Sequence, residues 1–271
     1  MPRTDMMKIN ILLEESPHLE RLPEFLSICN SKNITCKTCK NFTLSNKWES
    51  LYKDDEDVLF LGTLGLARRI LRNKPWNPGA YCDLNNLKVS TYSAHYGQYM
   101  FNRGIFLPLG NIRPNKDLLE GTFGKNIFIR PDSGMKEFSG IVTHINLCQI
   151  DFRYLEQQVN PHTLCYISKA KRPYKEYRLF IKNNKVITGC QYMLSGEIVK
   201  SPITPDIIRY SEDMIRLVGW IPEEYFVMDI HEDQFGDNTI MELNSFSCSG
   251  WYDIDLNLLI EAIVEEIGWV E

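Results

Sequence analysis

Apolar positions along the chain recur in two rhythms. In SPHLERLPEFLSICN (16–30), Leu19, Leu22, Phe25 and Leu26 fall at helical spacing. GLARRILRN (65–73), PDIIRYSEDMIRLVGW (205–220, opened by proline) and DLNLLIEAIVEEIG (255–268) also predict helices. Other stretches are short apolar or alternating runs that predict strands: KINILLE (8–14), VLFLGT (58–63), NIFIRP (126–131), GIVTHI (140–145) and LCYISKA (164–170). KEYRLFIKNNKVITGCQYML alternates on both sides of Asn183-Asn184. That pattern predicts a β-hairpin, because asparagine tolerates the positive φ of a tight turn. EYFVMDIHE and NTIMELNS predict two further strands joined by the polar turn DQFGD, whereas WNPGAYCDL (76–84) is turn-rich. The expected class is therefore α+β, with a small α/β unit over about residues 1–95.

Composition narrows the functional classes. The chain has 271 residues, 44% of them hydrophobic and 24% charged, as in ordinary water-soluble proteins. Its net charge of −5 argues against a nucleic-acid partner, despite the local cluster Lys169, Lys171, Arg172, Lys175 and Arg178. That basic stretch either meets an anionic substrate or is solvated. VLFLGTLGLA (58–67) is far shorter than the ~20 residues of a membrane span, and MPRTDMMKINILLEE carries charges where a signal peptide needs an apolar core. The expectation is a cytoplasmic protein without membrane contact. Of eight cysteines, Cys36 and Cys39 form a CxxC with Cys29 upstream. No fourth ligand stands at finger spacing, so reduced core or surface thiols are the preferred reading over zinc.

Three segments carry candidate chemistry. In MELNS, strand alternation turns Glu242 and Asn244 the same way and Leu243 toward the core. Asp229 of FVMDI lies on a strand able to pair with it, so three oxygen ligands suited to Mg²⁺ can converge. In KEYRLFI, Glu176 and Arg178 share a face, and Arg178 is either an anion-binding fork or half of a cross-strand salt bridge. In FIRPDSGMKEFSG (128–140), Arg130 and Lys136 place two cations on a strand–loop–strand unit. Ser133 and Gly134 offer backbone N–H groups to phosphate, and Gly134 and Gly140 bracket the loop. Alone, each segment also reads as ordinary surface structure.

Their order is more specific. RPDSGMKEFSG (130–140), EYRLFIKNNKVITGCQY (176–192), FVMDI (226–230) and IMELNSFSCSGWYD (240–253) resemble the ATP-grasp superfamily. Within it, the pattern is similar to the clade with arginine at the first phosphate-binding position instead of lysine. WNPGAYCD and YMFNRGIFLPL look like that clade's lead-in, so the resemblance covers most of residues 76–260. It implies an ATP-grasp fold of two α+β lobes clamping ATP over residues 96–271, with a lid lobe at about 120–168, a metal- and substrate-binding lobe at about 169–271, and a pre-ATP-grasp subdomain at 1–95. It implies that Arg130, Ser133, Gly134, Lys136, Glu176 and Arg178 bind ATP, with Arg130, Lys136 and Arg178 catalytic, and that Tyr166, Ile167 and Ser168 (with Cys165) form a hinge whose backbone meets adenine. It implies Mg²⁺ on Asp229, Glu242 and Asn244, and an acceptor side lined by Ser245, Ser247, Ser249 and Tyr252, with Cys248 a small pocket residue. The implied reaction is ATP- and Mg²⁺-dependent ligation of a small-molecule or peptide carboxylate to an amine through an acyl phosphate, releasing ADP. The alternatives are an inactive ATP-binding regulatory module and an ATP-dependent enzyme acting on nucleic acid.

Overall fold

A computed structural model of the protein describes residues 9–40, 47–146 and 150–265. Lys8 of the first expected strand and residues 266–268 of the last expected helix lie outside them.

The N-terminal sheet is parallel, in the order β2–β1–β3–β4, from β1 (Asn10–Glu14), β2 (Cys36–Cys39), β3 (Val58–Leu61) and β4 (Pro78–Gly79). Helix α1 (Leu22–Ser31) joins the first two strands and α2 (Leu64–Asn73) follows the third. The helix expected from residue 16 begins only at Leu22. Residues 16–21 form turns, and the proline at position 23 sits in the first helical turn, where its missing N–H costs nothing. Leu19 is buried nonetheless. The CxxC is strand β2 itself. Cys36 packs with Cys29 on one face of this sheet, while Cys39 joins a different apolar cluster with Trp48 and Trp76. Positions three apart on a strand point to opposite faces, so these thiols cannot share a metal.

The second sheet is antiparallel, in the order β11–β10–β9–β12–β13. Its strands are β9 (Lys175–Lys182), β10 (Lys185–Leu194), β11 (Glu197–Pro202), β12 (Tyr225–Glu232) and β13 (Asn238–Ser245). Asn183 and Asn184 take φ of 47° and 67° in the hairpin turn. Both faces of this sheet are covered. Phe180, Tyr225 and Val227 pack with Ile11, Leu13 and Trp251, beneath α1 and α7 (Leu256–Glu265). On the other face, Leu179, Phe226 and Met228 pack with α3 (Val89–Tyr96) and α6 (Pro205–Val218).

The third sheet, order β5–β8–β6–β7, is antiparallel, with β5 (Gly104–Pro108), β6 (Asn126–Pro131), β7 (Ile141–His144) and β8 (Leu164–Lys169). Helices α4 (Lys116–Phe123) and α5 (Ile150–Gln158) accompany it, and Leu119, Phe152 and Leu155 share its apolar cluster. This arrangement moves two expected boundaries. The lid sheet starts with β5 at residue 104 rather than near 120. Helix α3, which the expected break at residue 95 assigns to the N-terminal unit, buries Val89, Tyr92 and Tyr96 against the large sheet.

Candidate active site

The site forms where one face of the large sheet changes from apolar to charged. Along β12, Tyr225 and Val227 fill the core beneath the N-terminal sheet, and Asp229 is next on that face. Along β9, Phe180 gives way to Arg178 and then Glu176. The ladder register sets Arg178 opposite Asp229, and Asp229 opposite Glu242. One row across three strands therefore carries a cation and two carboxylates.

The register shifts by one residue between Asp229 and Ile230, leaving Met241 unopposed on β13. Such a bulge re-aims side chains. Here Met241 and Glu242, although neighbours in sequence, both line a cavity of 350 Å³ between the large sheet and the lid sheet. From the lid side the cavity is lined by Phe128, Arg130, Lys136, Phe138, Ser139 and Gly140. Phe128 and Arg130 share a face of β6 by alternation.

Two charge clusters meet there. Arg178 holds Asp229 bidentately, Nε to Oδ1 at 2.9 Å and Nη2 to Oδ2 at 2.8 Å. The guanidinium also lies 4.9 Å from the ring centre of Tyr252, which stacks on Tyr192 at 4.6 Å. Tyr192 donates its hydroxyl to Glu176 at 2.9 Å. Burial pushes the Asp229 carboxyl above its ordinary value, opposed by Arg178, and burial likewise raises Glu176. The second cluster crosses the cleft. Arg130 Nη1 lies 2.6 Å from Glu242 Oε2, and Lys136 Nζ lies 3.3 Å from Glu242 Oε1. Lys136 also donates to Asn244 Oδ1 at 2.5 Å. Asn244 Nδ2 ties the clusters together, donating to Asp229 Oδ2 and Glu242 Oε1, both at 3.0 Å. Burial works against the Glu242 charge, but Lys136, Arg130 and the Asn244 hydrogen bond together hold its carboxyl well below the usual carboxylate range.

Asp229, Glu242 and Asn244 thus bring two carboxylates and an amide into one hydrogen-bonded group, the amide nitrogen on both carboxylates and the amide oxygen on Lys136. Hard oxygen donors of this number fit Mg²⁺, whose remaining positions phosphate oxygens and water commonly fill. The ammonium of Lys136 bridges Glu242 Oε1 and Asn244 Oδ1.

Other expected site residues stand elsewhere. The loop at 131–140 is anchored at its start. Asp132 accepts from Ser90 N and Oγ at 2.6 and 2.9 Å, and a Cβ on Gly134 would lie 2.7 Å from the Leu84 carbonyl oxygen. Gly134 therefore permits close backbone packing, and neither it nor Ser133 lines the large cavity. Gly140 has a comparable reason, since a Cβ there would come within 2.6 Å of the Phe128 ring. Tyr166, Ile167 and Ser168 are buried in β8, which pairs with β5 on one side and β6 on the other. Their backbone groups are taken up by the ladders on both sides of β8.

Three of the acceptor-side hydroxyls, those of Ser245, Ser247 and Ser249, are hydrogen-bonded to backbone groups. Ser245 Oγ donates to the Tyr81 carbonyl at 2.7 Å, Ser247 Oγ accepts from Tyr81 N at 2.9 Å, and Ser249 Oγ donates to the Ser245 carbonyl at 2.6 Å. These serines hold the loop's shape. Ser245, Cys248 and Ser249, with Leu64, Leu87, Lys136 and Asn244, line a smaller pocket of 100 Å³. Burial pushes the Cys248 thiol well above its ordinary value, which disfavours a nucleophilic role. In the basic stretch, Lys171 donates to the Phe101 carbonyl and Lys175 pairs with Glu232. Sequence reasoning missed Asn102, Phe128, Tyr192 and Met241 as cavity residues. Alternation from Arg130 points to Phe128, whereas the bulge that turns Met241 inward leaves no sequence signal.

Among the described residues, no helix is long and apolar enough to cross a membrane. No curated protein matches the sequence. Solved structures match over nearly the whole chain. The structure of D-cycloserine synthetase DcsG aligns with a TM-score of 0.65 at 13% identity, covering 96% of this chain and 99% of that one. D-alanyl-alanine synthetase A from Vibrio cholerae O1 biovar eltor aligns with a TM-score of 0.59 at 12% identity, covering 96% and 99%. The ATP-grasp ligase PsnB complexed with precursor peptide PsnA2 and AMPPNP aligns with a TM-score of 0.55 at 13% identity, covering 97% and 99%. At these identities the likeness establishes the fold. A family model of the ATP-grasp domain, the second family of its clade, matches residues 114–262, more than half of the chain and all of the charged row, and the protein therefore belongs to the ATP-grasp family.

Proposed function

We propose that the chain is an ADP-forming, ATP- and Mg²⁺-dependent ligase that joins a carboxylate to an amine. One observation carries the reading: Arg130, Lys136 and Arg178 converge with Asp229, Glu242 and Asn244 around a single cleft between two sheets. Phosphoryl transfer needs positioned charge more than a protein nucleophile, and this cleft supplies charge of both signs.

Asp229, Glu242 and Asn244 would hold Mg²⁺, which when bound neutralises phosphate charge and orients the γ-phosphoryl group. Arg130 takes the role that lysine has in most ATP-grasp enzymes. It stands next to last in β6 and lines the cavity, so an incoming phosphate competes with Glu242 for it. Lys136, beyond the anchored part of the loop, moves from Asn244 and Glu242 onto the terminal phosphates. Arg178 stays with Asp229, its remaining Nη1 lying 3.5 Å from the Gly250 carbonyl, and presents positive charge toward the transferred group. A substrate carboxylate oxygen attacks the γ-phosphorus and ADP departs, leaving an acyl phosphate. The amine nitrogen then attacks the acyl carbon, inorganic phosphate leaves, and the amide nitrogen loses a proton. Both substrates fall in the small-molecule or peptide class. The two pockets that share Lys136 suit this sequence, with nucleotide on one side and acceptor on the other.

The test is turnover with Mg²⁺-ATP and pools of amino acids and short peptides. ADP and phosphate are expected in step with amide formation. AMP as product, or nucleotide cleavage indifferent to both substrates, contradicts the reading.

A further inference from the structure

The smaller pocket of 100 Å³ meets the large cavity at Lys136, which lines both. Beyond that ammonium its wall is mostly aliphatic: Leu64 at the start of α2, Leu87 and Leu243, with Gly134 adding backbone alone. The polar side chains of the wall are already engaged. Ser245 Oγ donates to the Tyr81 carbonyl and Ser249 Oγ to the Ser245 carbonyl. Asn244 uses its nitrogen on Asp229 and Glu242 and its oxygen on Lys136, and the Cys248 thiol is hydrogen-bonded to Cys82. A polar or charged group placed deep in this pocket loses its hydration without a side-chain partner to replace it.

The pocket is also rigid. Leu87 and Leu243 are buried in the apolar cluster that covers the second face of the large sheet. Gly134 is pressed on the Leu84 backbone, where a Cβ would lie 2.7 Å from the carbonyl oxygen. Leu64 alone of the three leucines is only partly buried. At about 30 Å³ for a group the size of a water molecule, the space takes about three non-hydrogen atoms.

Building on the ligase reading, we infer that this pocket selects the carboxylate substrate, admitting an aliphatic substituent of up to about three carbons while the carboxylate stays at Lys136, and that Leu64 sets the limit of size. Aromatic substituents are rejected for volume, and charged ones because the wall has no free partner for them.

Hydroxylamine in place of the amine tests this, because it converts any acyl phosphate to a hydroxamate whatever the natural amine is. The full chain receives Mg²⁺-ATP, saturating hydroxylamine and racemic alanine, valine, leucine, phenylalanine or aspartate, each as the free amino acid and as the C-terminal residue of a glycyl dipeptide. Alanine or valine is expected to exceed leucine, phenylalanine and aspartate at least about tenfold in kcat/KM. Leu64→Ala brings leucine within about threefold of valine and leaves aspartate rejected. The unaltered protein alone decides the case if Leu64→Ala does not fold, because the series itself varies the same fit. Phenylalanine or aspartate used as well as alanine, or leucine rejected equally in Leu64→Ala, overturns the assignment of the pocket and leaves the ligase reading standing. Hydroxamate from no member of either series overturns both.

Discussion

Two cation–carboxylate arrangements lie side by side in the cleft, and they are built differently. Arg178 and Asp229 are register partners on adjacent strands of one sheet, joined bidentately, with side chains only 11% and 3% exposed. Arg130 and Lys136 reach Glu242 from a different sheet, and Lys136 is 38% exposed. The first arrangement belongs to the fold, because moving either partner would break a ladder. The second joins two bodies through side chains alone, so a ligand carrying both charge signs can enter by exchange: phosphate for Glu242, and a metal ion for Lys136. The contrast separates a pair that stays joined from a cluster that can open.

Breaking the first pair has the largest expected effect. Asp229→Ala leaves a buried guanidinium unpaired and costs about 3–5 kcal/mol of stability, read by urea denaturation. A loss below about 1 kcal/mol would erase the distinction between the arrangements. Glu242→Gln leaves an acceptor for Arg130, so stability changes by only about 1 kcal/mol, while on the proposed reading ligation falls about 100-fold or more because a carboxylate that would hold Mg²⁺ at the phosphates is lost. Lys136 is the most exposed member of the two arrangements, and Lys136→Ala shifts stability by less than about 1 kcal/mol. It raises the ATP concentration needed for half-maximal turnover about tenfold, as steady-state kinetics would show. The smallest effect is on acid sensitivity. Glu242 is held below its unfolded value, so its contribution is present above about pH 4.3 and fades as pH falls toward its folded value. Melting curves of Glu242→Gln should therefore lose less stability than the parent protein between about pH 4 and pH 2.

The same division explains what the sequence reveals. Strand alternation is local, so Glu242, Asn244 and the Asn183–Asn184 hairpin could be read directly, and the short turn brings Asp229 to Glu242. What depends on contacts distant in sequence was hidden. Helix α3 carries Tyr92 and Tyr96 without a clear apolar period and owes its place to the large sheet. Strand β11 is an exposed edge, and its only herald is the Ser195-Gly196 turn, with φ of 52° and 89°. Segment 164–168 is legible as a strand, but not as one hydrogen-bonded on both sides. The serines after Asn244 look like free donors until Tyr81, more than 160 positions upstream, is seen to use two of them.

The most direct measurement is the Mg²⁺ dependence of ATP binding by calorimetry, in the parent protein and in Glu242→Gln. If the cross-cleft cluster exchanges its internal partners for a metal–nucleotide pair, Mg²⁺ strengthens ATP binding at least about tenfold in the parent and by less than about twofold in the variant. Equal ATP affinity with and without Mg²⁺ in the parent protein, or a full Mg²⁺ effect in the variant, would contradict it.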